Sequence, residues 1–351
     1  MPSQTFHLAA EHRGLTLAAA LRRVLPDHSW SQVRKLISGR RVQVNGNLCL
    51  DEERKVSAGD VVKTLEHALA PPATVADVRL VHVDEHLVVV QKPAGVTTLR
   101  HREESDLPAR RKQLQPTFDE LVQKQLSIHL GIALPADRAN PSHQRGNAGP
   151  HRRVRKPVMD RRLRLRPVHR LDRDTSGLMV FARSPEAEQK LIQMFARHDV
   201  QRAYVAAVYG EVHEQTIDTQ FVRDRGDGLR GSMHSPTTTD SGNDDTSPRR
   251  AVTHVRPLDQ LAGYTVVECR LQTGRTHQIR IHLSELGHRV CGEKMYTHAL
   301  GQPPLAEVSG APRQALHAAS LAFVHPITNR PLRFQMPLPP DLKAWLLKLR
   351  R

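Results

Sequence analysis

The sequence predicts an α+β protein, with a small αβ module followed by a larger domain built on a mostly antiparallel mixed sheet with flanking helices. Three observations carry this expectation. Near the N-terminus, two short stretches with helical apolar spacing precede short alternating segments separated by turn residues. Beyond residue 78, apolar or alternating runs of strand length recur and amphipathic helical stretches are few. The chain, at 351 residues, has room for two or three domains.

Leu15 to Leu25 has helical spacing, and Pro26 stops it. Ser29 or Ser31 can cap a second helix through Val33, Leu36 and Ile37, closed by Gly39. Arg41 to Gly46 alternates as a strand and enters an Asn-Gly turn, with further strands at 48–50 and 61–62. These pieces make a domain over 14–66. A linker at 67–77 contains Pro71-Pro72, and a second domain spans 78–345. In it, Asp84-Glu85 is a turn, Leu87 to Val90 a buried central strand, and Lys92-Pro-Ala-Gly95 ends that strand. Strands are also expected at 178–182, 201–210, 251–255, 264–272 and from Leu316. Helices are expected at 117–130, 185–195 and 340–349. Two insertions stand out, at about 99–166 and 224–250. Ala136 to Arg166 is basic with little apolar periodicity, so disorder is its default reading and a basic arm folding on RNA the functional one. Asp224 to Arg250 reads as a mobile hairpin tip.

A formal charge of +16 favours a polyanionic partner. A basic protein without a nucleic-acid partner is the bland alternative. No long basic amphipathic helix suggests a membrane surface, and no apolar stretch is long enough to span one. Aromatic residues make up 4% of the chain, too few for a single-strand stacking platform. Cys49, Cys269 and Cys291 are too scattered for a disulfide framework or a zinc site and read as buried thiols in a reducing, cytoplasmic compartment. His277 and His282 are poorly spaced as metal ligands. There is no P-loop and no dinucleotide fingerprint, so no metal and no cofactor is expected.

The stretch around which the chain is organised is His169-Arg-Leu-Asp-Arg-Asp-Thr-Ser-Gly177, a basic polar loop running into the apolar run Leu178 to Ala182. A lone Asp-Arg pair is usually a surface ion pair. Nine specified positions in a row are more specific, and they closely resemble the catalytic motif of the RluA-type RNA pseudouridine synthases. Lys92-Pro-Ala-Gly95 resembles that family's first motif, which has a structural role near the active site. Thr273-Gly-Arg-Thr-His-Gln-Ile-Arg280 resembles its third. Val33 to Gly46 resembles an S4-type RNA-binding domain, in which Arg22, Arg23, Arg34, Lys35, Arg40 and Arg41 would contact RNA; a solvated basic helix face is the alternative. One departure is Cys291-Gly-Glu-Lys-Met-Tyr296, where the family has Gly-Asp, two residues and Tyr. Glu293 keeps the charge, so an effect on packing or positioning is expected.

The resemblance implies a roles assignment. Asp172 is the catalytic carboxylate at C1′, attacking the sugar or assisting elimination to a glycal. Arg280 pairs with it and keeps it ionised. Tyr204 packs on the target base and moves a proton. Arg170 fills the space left by the flipped uridine, and His169, Arg173, Arg275, His277 and Gln278 position the RNA. The implied substrate is structured RNA, large-subunit ribosomal RNA ahead of transfer RNA, and the implied state is a monomer. Two other function classes are alternatives. A silent RNA-binding or ribosome-assembly protein would lack an active-site residue, yet Asp172, Tyr204, Arg275 and Arg280 are all present. A hydrolase using Asp172 with His169 would need a nucleophile elbow or paired carboxylates, which the sequence does not offer.

Overall fold

In the computed structural model, which describes residues 3–45, 47–66, 68–69, 71–100, 116–134, 160–233 and 247–350, the chain divides into two units after Pro72. The first contains β1 (Gln4–His7), α1 (Leu17–Val24), α2 (Trp30–Ser38), β2 (Val42–Val44), β3 (Asn47–Leu48) and β4 (Val61–Thr64). Thr16 caps α1 by accepting the Ala19 N–H. Ser29, rather than Ser31, caps α2, in a reciprocal pair with Gln32 that satisfies two otherwise orphan N–H groups. The strands form an antiparallel sheet in the order β1-β4-β2-β3. Leu17, Leu21, Val33, Ile37, Val42, Val44 and Val62 fill the space between helices and sheet. The sheet begins earlier than the sequence suggests, because Gln4–His7 pairs with β4 along its whole length. Asn45 enters the predicted turn with φ 52°, and Gly46 lies outside the described residues.

The second unit opens with β5 (Arg79–Val83), β6 (Leu87–Lys92), α3 (Phe118–Leu130), β7 (Arg166–Pro167), β8 (Ser176–Ala182) and α4 (Pro185–Ala196). It continues with β9 (Gln201–Tyr209), β10 (Gln215–Val222), β11 (Gly231–Ser232), β12 (Arg249–Leu261), β13 (Tyr264–Leu271) and α5 (Gln278–Glu285). β14 (Leu316–Val324), β15 (Pro331–Gln335) and α6 (Pro340–Leu349) close it. Eleven strands among the described residues form one sheet, with the path β11-β10-β12-β13-β9-β14-β8-β6-β5, β15 on β14 and β7 on β8. Every pairing is antiparallel except β14 with β8.

Central strands are buried on both faces, which is why β6 and β8 read as continuous apolar runs. Alternate residues serve different layers. Val88, Val90, Met179 and Phe181 pack with Phe118, Leu121 and Val122 of α3 and with Leu342 and Trp345 of α6. Leu87, Val89, Leu178 and Val180 pack with Ala187 and Leu191 of α4. The three cysteines are buried and unpaired.

Both predicted insertions contain ordered framework. Helix α3 is part of the core, and Leu163, within the stretch expected to be disordered, is fully buried beneath a short helical turn at Arg161–Leu163. Residues 101–115 and 135–159 lie outside the described residues. In the second insertion, β11 extends the sheet and the buried Arg225 side chain pairs with Asp227 and Glu285. Residues 234–246, about half of the stretch expected to be a mobile tip, lie outside the described residues. No helix among the described residues is long and apolar enough to cross a membrane.

Candidate active site

The loop before β8 is held from below. Lys92 ends β6 with its side chain fully buried, and its Nζ lies 2.9–3.1 Å from the carbonyl oxygens of Pro93, Asp172, Arg173 and Thr175. Burial pushes the Lys92 pKa down to about 7, against the pull of Asp174 and Asp172. Thr98 grips the same loop, donating to Leu171 O at 2.6 Å and accepting from Leu171 N at 3.3 Å. Gly95 N donates to Arg173 O at 2.8 Å. The stretch 92–98 thus fixes the backbone of Asp172 through main-chain contacts, and Lys92 is a floor beneath the site.

Above this floor a cavity of about 590 Å³ opens, within the usual range of ligand pockets. Asp172, Tyr204, His277, Arg280 and Arg170 all line it. Tyr204 sits on β9, opposite Cys269 of β13 and Ala318 of β14, and burial raises its phenol pKa. Asp172 Oδ2 accepts from Arg280 Nη1 at 3.1 Å, and Asp172 Oδ1 lies 3.7 Å from His277 Nε2. Arg280 is itself gripped by Glu293, with Nε to Oε2 and Nη2 to Oε1 both 2.7 Å. This planar two-point clasp leaves the third guanidinium nitrogen aimed at Asp172. The Tyr296 ring lies under the Arg280 guanidinium at 5.2 Å, and the Tyr296 hydroxyl meets His277 Nδ1 at 2.8 Å.

Glu293 is 2% exposed. Burial alone would raise its pKa, but the Arg280 hydrogen bonds and charge, with N–H groups of Met295 and Tyr296, outweigh burial and hold it at about 2. Arg280 is likewise pushed above its ordinary value by Glu293 and Asp172, against burial. The arrangement is an anchored acid, a fixed guanidinium and a second carboxylate at the cavity wall, in that order inward to outward.

Residues 140–285 match the RNA pseudouridylate synthase family, and residues 16–62 match the S4 domain family. The ribosomal large subunit pseudouridine synthase D of Xanthomonas campestris pv. campestris is 32% identical over 349 residues, covering 96% of this chain and 89% of that protein. The chain belongs to the RNA pseudouridine synthase family. The synthase is also 31% identical, over 356 residues, to the protein of that same name from Zymomonas mobilis subsp. mobilis, covering 98% of this chain and 96% of that one. Its fold resembles that of Human RNA Pseudouridylate Synthase Domain Containing 4, with a TM-score of 0.53 at 20% identity over 77% of this chain and 92% of the other. The protein is accordingly an enzyme that isomerises uridine in RNA, preceded by an S4 domain.

Not every residue marked by the motifs faces the synthase's cavity with free polar atoms. Gln278, expected to position RNA, is 2% exposed with a saturated amide. Its Oε1 accepts from Thr273 Oγ1 and Arg275 N, and its Nε2 donates to Val252 O and Thr253 Oγ1. It locks the 273–278 turn. His169, given the same role, accepts the Val180 N–H on Nε2 at 3.1 Å and stacks on Phe195 at 4.8 Å. Burial, then the charge of Arg202, push its pKa down to about 3, so it is a neutral wall of the cavity. Arg173 is exposed, does not line the cavity, and donates from Nε to Gly95 O. Arg170 and Arg275 are exposed on the cavity rim. His282 spends both ring nitrogens on Thr253 and Thr219, which separates it from His277.

In the first unit, several basic residues hold their own backbone. Arg40 and Arg41 donate from Nε to Leu69 O and Leu65 O, Arg22 to Pro26 O and Arg23 to Glu11 O. Arg34 pairs with Glu52 at 3.2 Å, and Lys35 is exposed.

Glu293 and Lys92 carry more of the site than their motifs suggested, and Glu293→Gln tests the first. The synthase should lose about 10- to 100-fold in kcat, because an amide cannot accept from both Arg280 nitrogens and leaves one donor unmet. A pH effect accompanies it. The folded pKa of about 2 lies below the unfolded value, so the stabilisation is fully present above about pH 4.3 and is lost as pH falls toward 2. Urea unfolding at pH 6 and pH 3 should show the gap between wild type and Glu293→Gln shrinking at the lower pH. A constant gap would place the stabilisation in packing alone.

Proposed function

We propose that the synthase isomerises specific uridines in large-subunit ribosomal RNA, with the target base flipped into the cavity over Tyr204 and Asp172 acting at C1′. The observation that carries the chemical part is the Asp172–Arg280–Glu293 chain at the cavity wall. The substrate class is supported by the two relatives described above, both named as ribosomal large subunit pseudouridine synthases.

The reaction breaks N1–C1′, turns the base and joins C5 to C1′. The proton on C5 leaves to solvent and N1 takes one up, so the step needs no redox partner, energy source or cofactor. It does need one anionic group at C1′. A carboxylate under a bound base tends to lose its charge, and the fixed Arg280 guanidinium opposes that. Tyr204 gives the flat face for the uracil ring and a phenol for proton movement. Extrusion of the base costs a few kcal/mol, least in loops and bulges, and Arg170 at the rim fills the gap it leaves. Residues 14–66 serve as the RNA-docking domain through exposed basic side chains such as Arg23, Arg34 and Lys35, 67–77 as a linker, and 78–345 as the catalytic domain. The enzyme works as a cytoplasmic monomer.

The test is to incubate the synthase with large-subunit, small-subunit and transfer RNA transcripts and to quantify pseudouridine by nucleoside mass spectrometry. Pseudouridine in the large-subunit transcript, at least about tenfold above the others, is the expected result. Formation in transfer RNA alone would replace the substrate class, and tight binding without product would make the protein an RNA binder.

A further inference from the structure

The catalytic cavity holds a half-buried cation that neither the motifs nor the chemistry above uses. Arg202 lines it from β9, two residues before Tyr204 and on the same face, since both line the cavity and Ala203 between them does not. The rise of a strand sets the two about 7 Å apart. Arg170 and Arg275 are exposed at the rim, whereas Arg202 is half-buried. Its guanidinium lies over the Phe195 ring at 5.4 Å. It also runs across Gly274, where a Cβ would stand 2.6 Å from Nη1, so the glycine of the 273–280 motif leaves the room that the guanidinium takes. Arg202 Nε is buried without a hydrogen-bond partner, and no carboxylate pairs with the group, among the described residues. Burial raises the Tyr204 phenol pKa and the Arg202 charge pulls against that rise, which puts the two groups within electrostatic reach of each other.

A guanidinium held by packing, with its donors unspent on the protein, is placed to meet something that enters the cavity. Bound RNA strips the water that remains around it, and a buried guanidinium without a counter-charge is costly. A uracil carbonyl offers an acceptor but no charge. A phosphodiester offers both, with two oxygens that match the guanidinium fork. A flipped nucleotide brings its own phosphate toward the site with its base. We propose that Arg202 binds a phosphodiester of the target nucleotide itself, so that this nucleotide is gripped at two points on one face of β9, the ring by Tyr204 and the phosphate by Arg202. The assignment rests on the reading that seats the target uridine over Tyr204. The sugar is then fixed between the two points, which sets how C1′ is presented to Asp172.

The experiment uses an RNA that the wild type modifies, of whichever class, and compares wild type, Arg202→Gln, Arg202→Lys and, as an exposed control, Arg330→Gln. Arg202→Gln should raise KM about tenfold with kcat within about threefold, and the slope of log KM against log salt should flatten by roughly 0.7–0.9, the share of one phosphate contact. Arg202→Lys should keep the wild-type slope and recover most of KM. The control should stay within about twofold of wild type. Thermal unfolding midpoints should agree within a few degrees, because no protein acceptor loses its donor. A fall in kcat at unchanged KM and slope would overturn the proposal. So would a loss in Arg202→Gln that accompanies a lowered unfolding midpoint and is not rescued by lysine. A second arm measures affinity for the same RNA with the target nucleotide reduced to a bare sugar-phosphate, and for an RNA of equal length without a target. The wild-type advantage over Arg202→Gln should persist at about tenfold on the first and shrink to within about twofold on the second. An advantage that vanishes with the base would assign the contact to uracil, and one equal on every RNA would be diffuse attraction; either result overturns the proposal. Turnover by Asp172→Asn is read beside these. If it is retained, the seating of the uridine in this cavity is wrong whatever Arg202 does, so the two failures are told apart.

Discussion

Asp172→Asn should abolish pseudouridine formation, with kcat lowered by at least ~10⁴-fold, the scale on which loss of a nucleophile acts in other enzymes. The variant isolates charge from shape. Asparagine fits the space, its oxygen can still accept from Arg280 Nη1, and the loop under it is fixed by Lys92 and Thr98 through backbone groups that do not change. What is lost is the negative charge at the cavity wall. RNA affinity should therefore stay within a few-fold, read by a binding titration beside the turnover assay, because backbone phosphates dominate affinity. Turnover retained within tenfold would remove Asp172 from its role. A large fall in affinity would mean that the loop itself had moved.

Gly177→Ala should be among the most destabilising substitutions in the chain, at roughly 3–6 kcal/mol, from overpacking added to backbone strain. Gly177 has φ 121°, a region closed to residues with a Cβ. A Cβ there would stand 2.3 Å from Ala318 O and 2.6 Å from Ala318 N. Both are backbone atoms of β14, the strand that pairs in parallel with β8 at this point, so neither can yield as a flexible side chain would. Against a total stability of about 5–15 kcal/mol for a domain, this loss is severe. Gly228→Ala is the comparison, since that position has φ 78° with nothing within 4 Å and bears only the backbone strain. Thermal and urea unfolding should separate the two by a few kcal/mol. Equal costs would mean that the close approach of β8 and β14 does not account for glycine in the motif.

The site was legible in sequence where its chemistry lies in contiguous stretches. Asp172 and Arg280 each sit in a run of specified residues, and the structure brings them to 3.1 Å. For Gln278 and His169 the motif shows that the residue matters without showing what it contacts. Both are polar residues spent on the scaffold, one on the 273–278 turn and one on the Val180 N–H. Glu293 was noticed only as a departure from a pattern. Its bond to Arg280 joins a helix to a loop, and no local spacing announces such a pair. Elements followed the same logic. Strands β6 and β8 announced themselves by burial on both faces, whereas β10 has only Ile217 and Phe221 buried among polar residues and carries little signal. Strand β1 is four residues long and exists because β4 offers it an edge. Arg202 was invisible for a related reason, since Phe195 and Gly274, which flank its guanidinium, come from two other places in the chain.

The most direct test of the account is tritium release from large-subunit ribosomal RNA labelled at uridine C5, measured for wild type and for Asp172→Asn. The C5 hydrogen must leave when carbon replaces nitrogen at C1′. Release by wild type, with none above background from the variant while it still binds the RNA, is the predicted result. Equal release by both proteins, or none by a wild type that binds the RNA tightly, would contradict it.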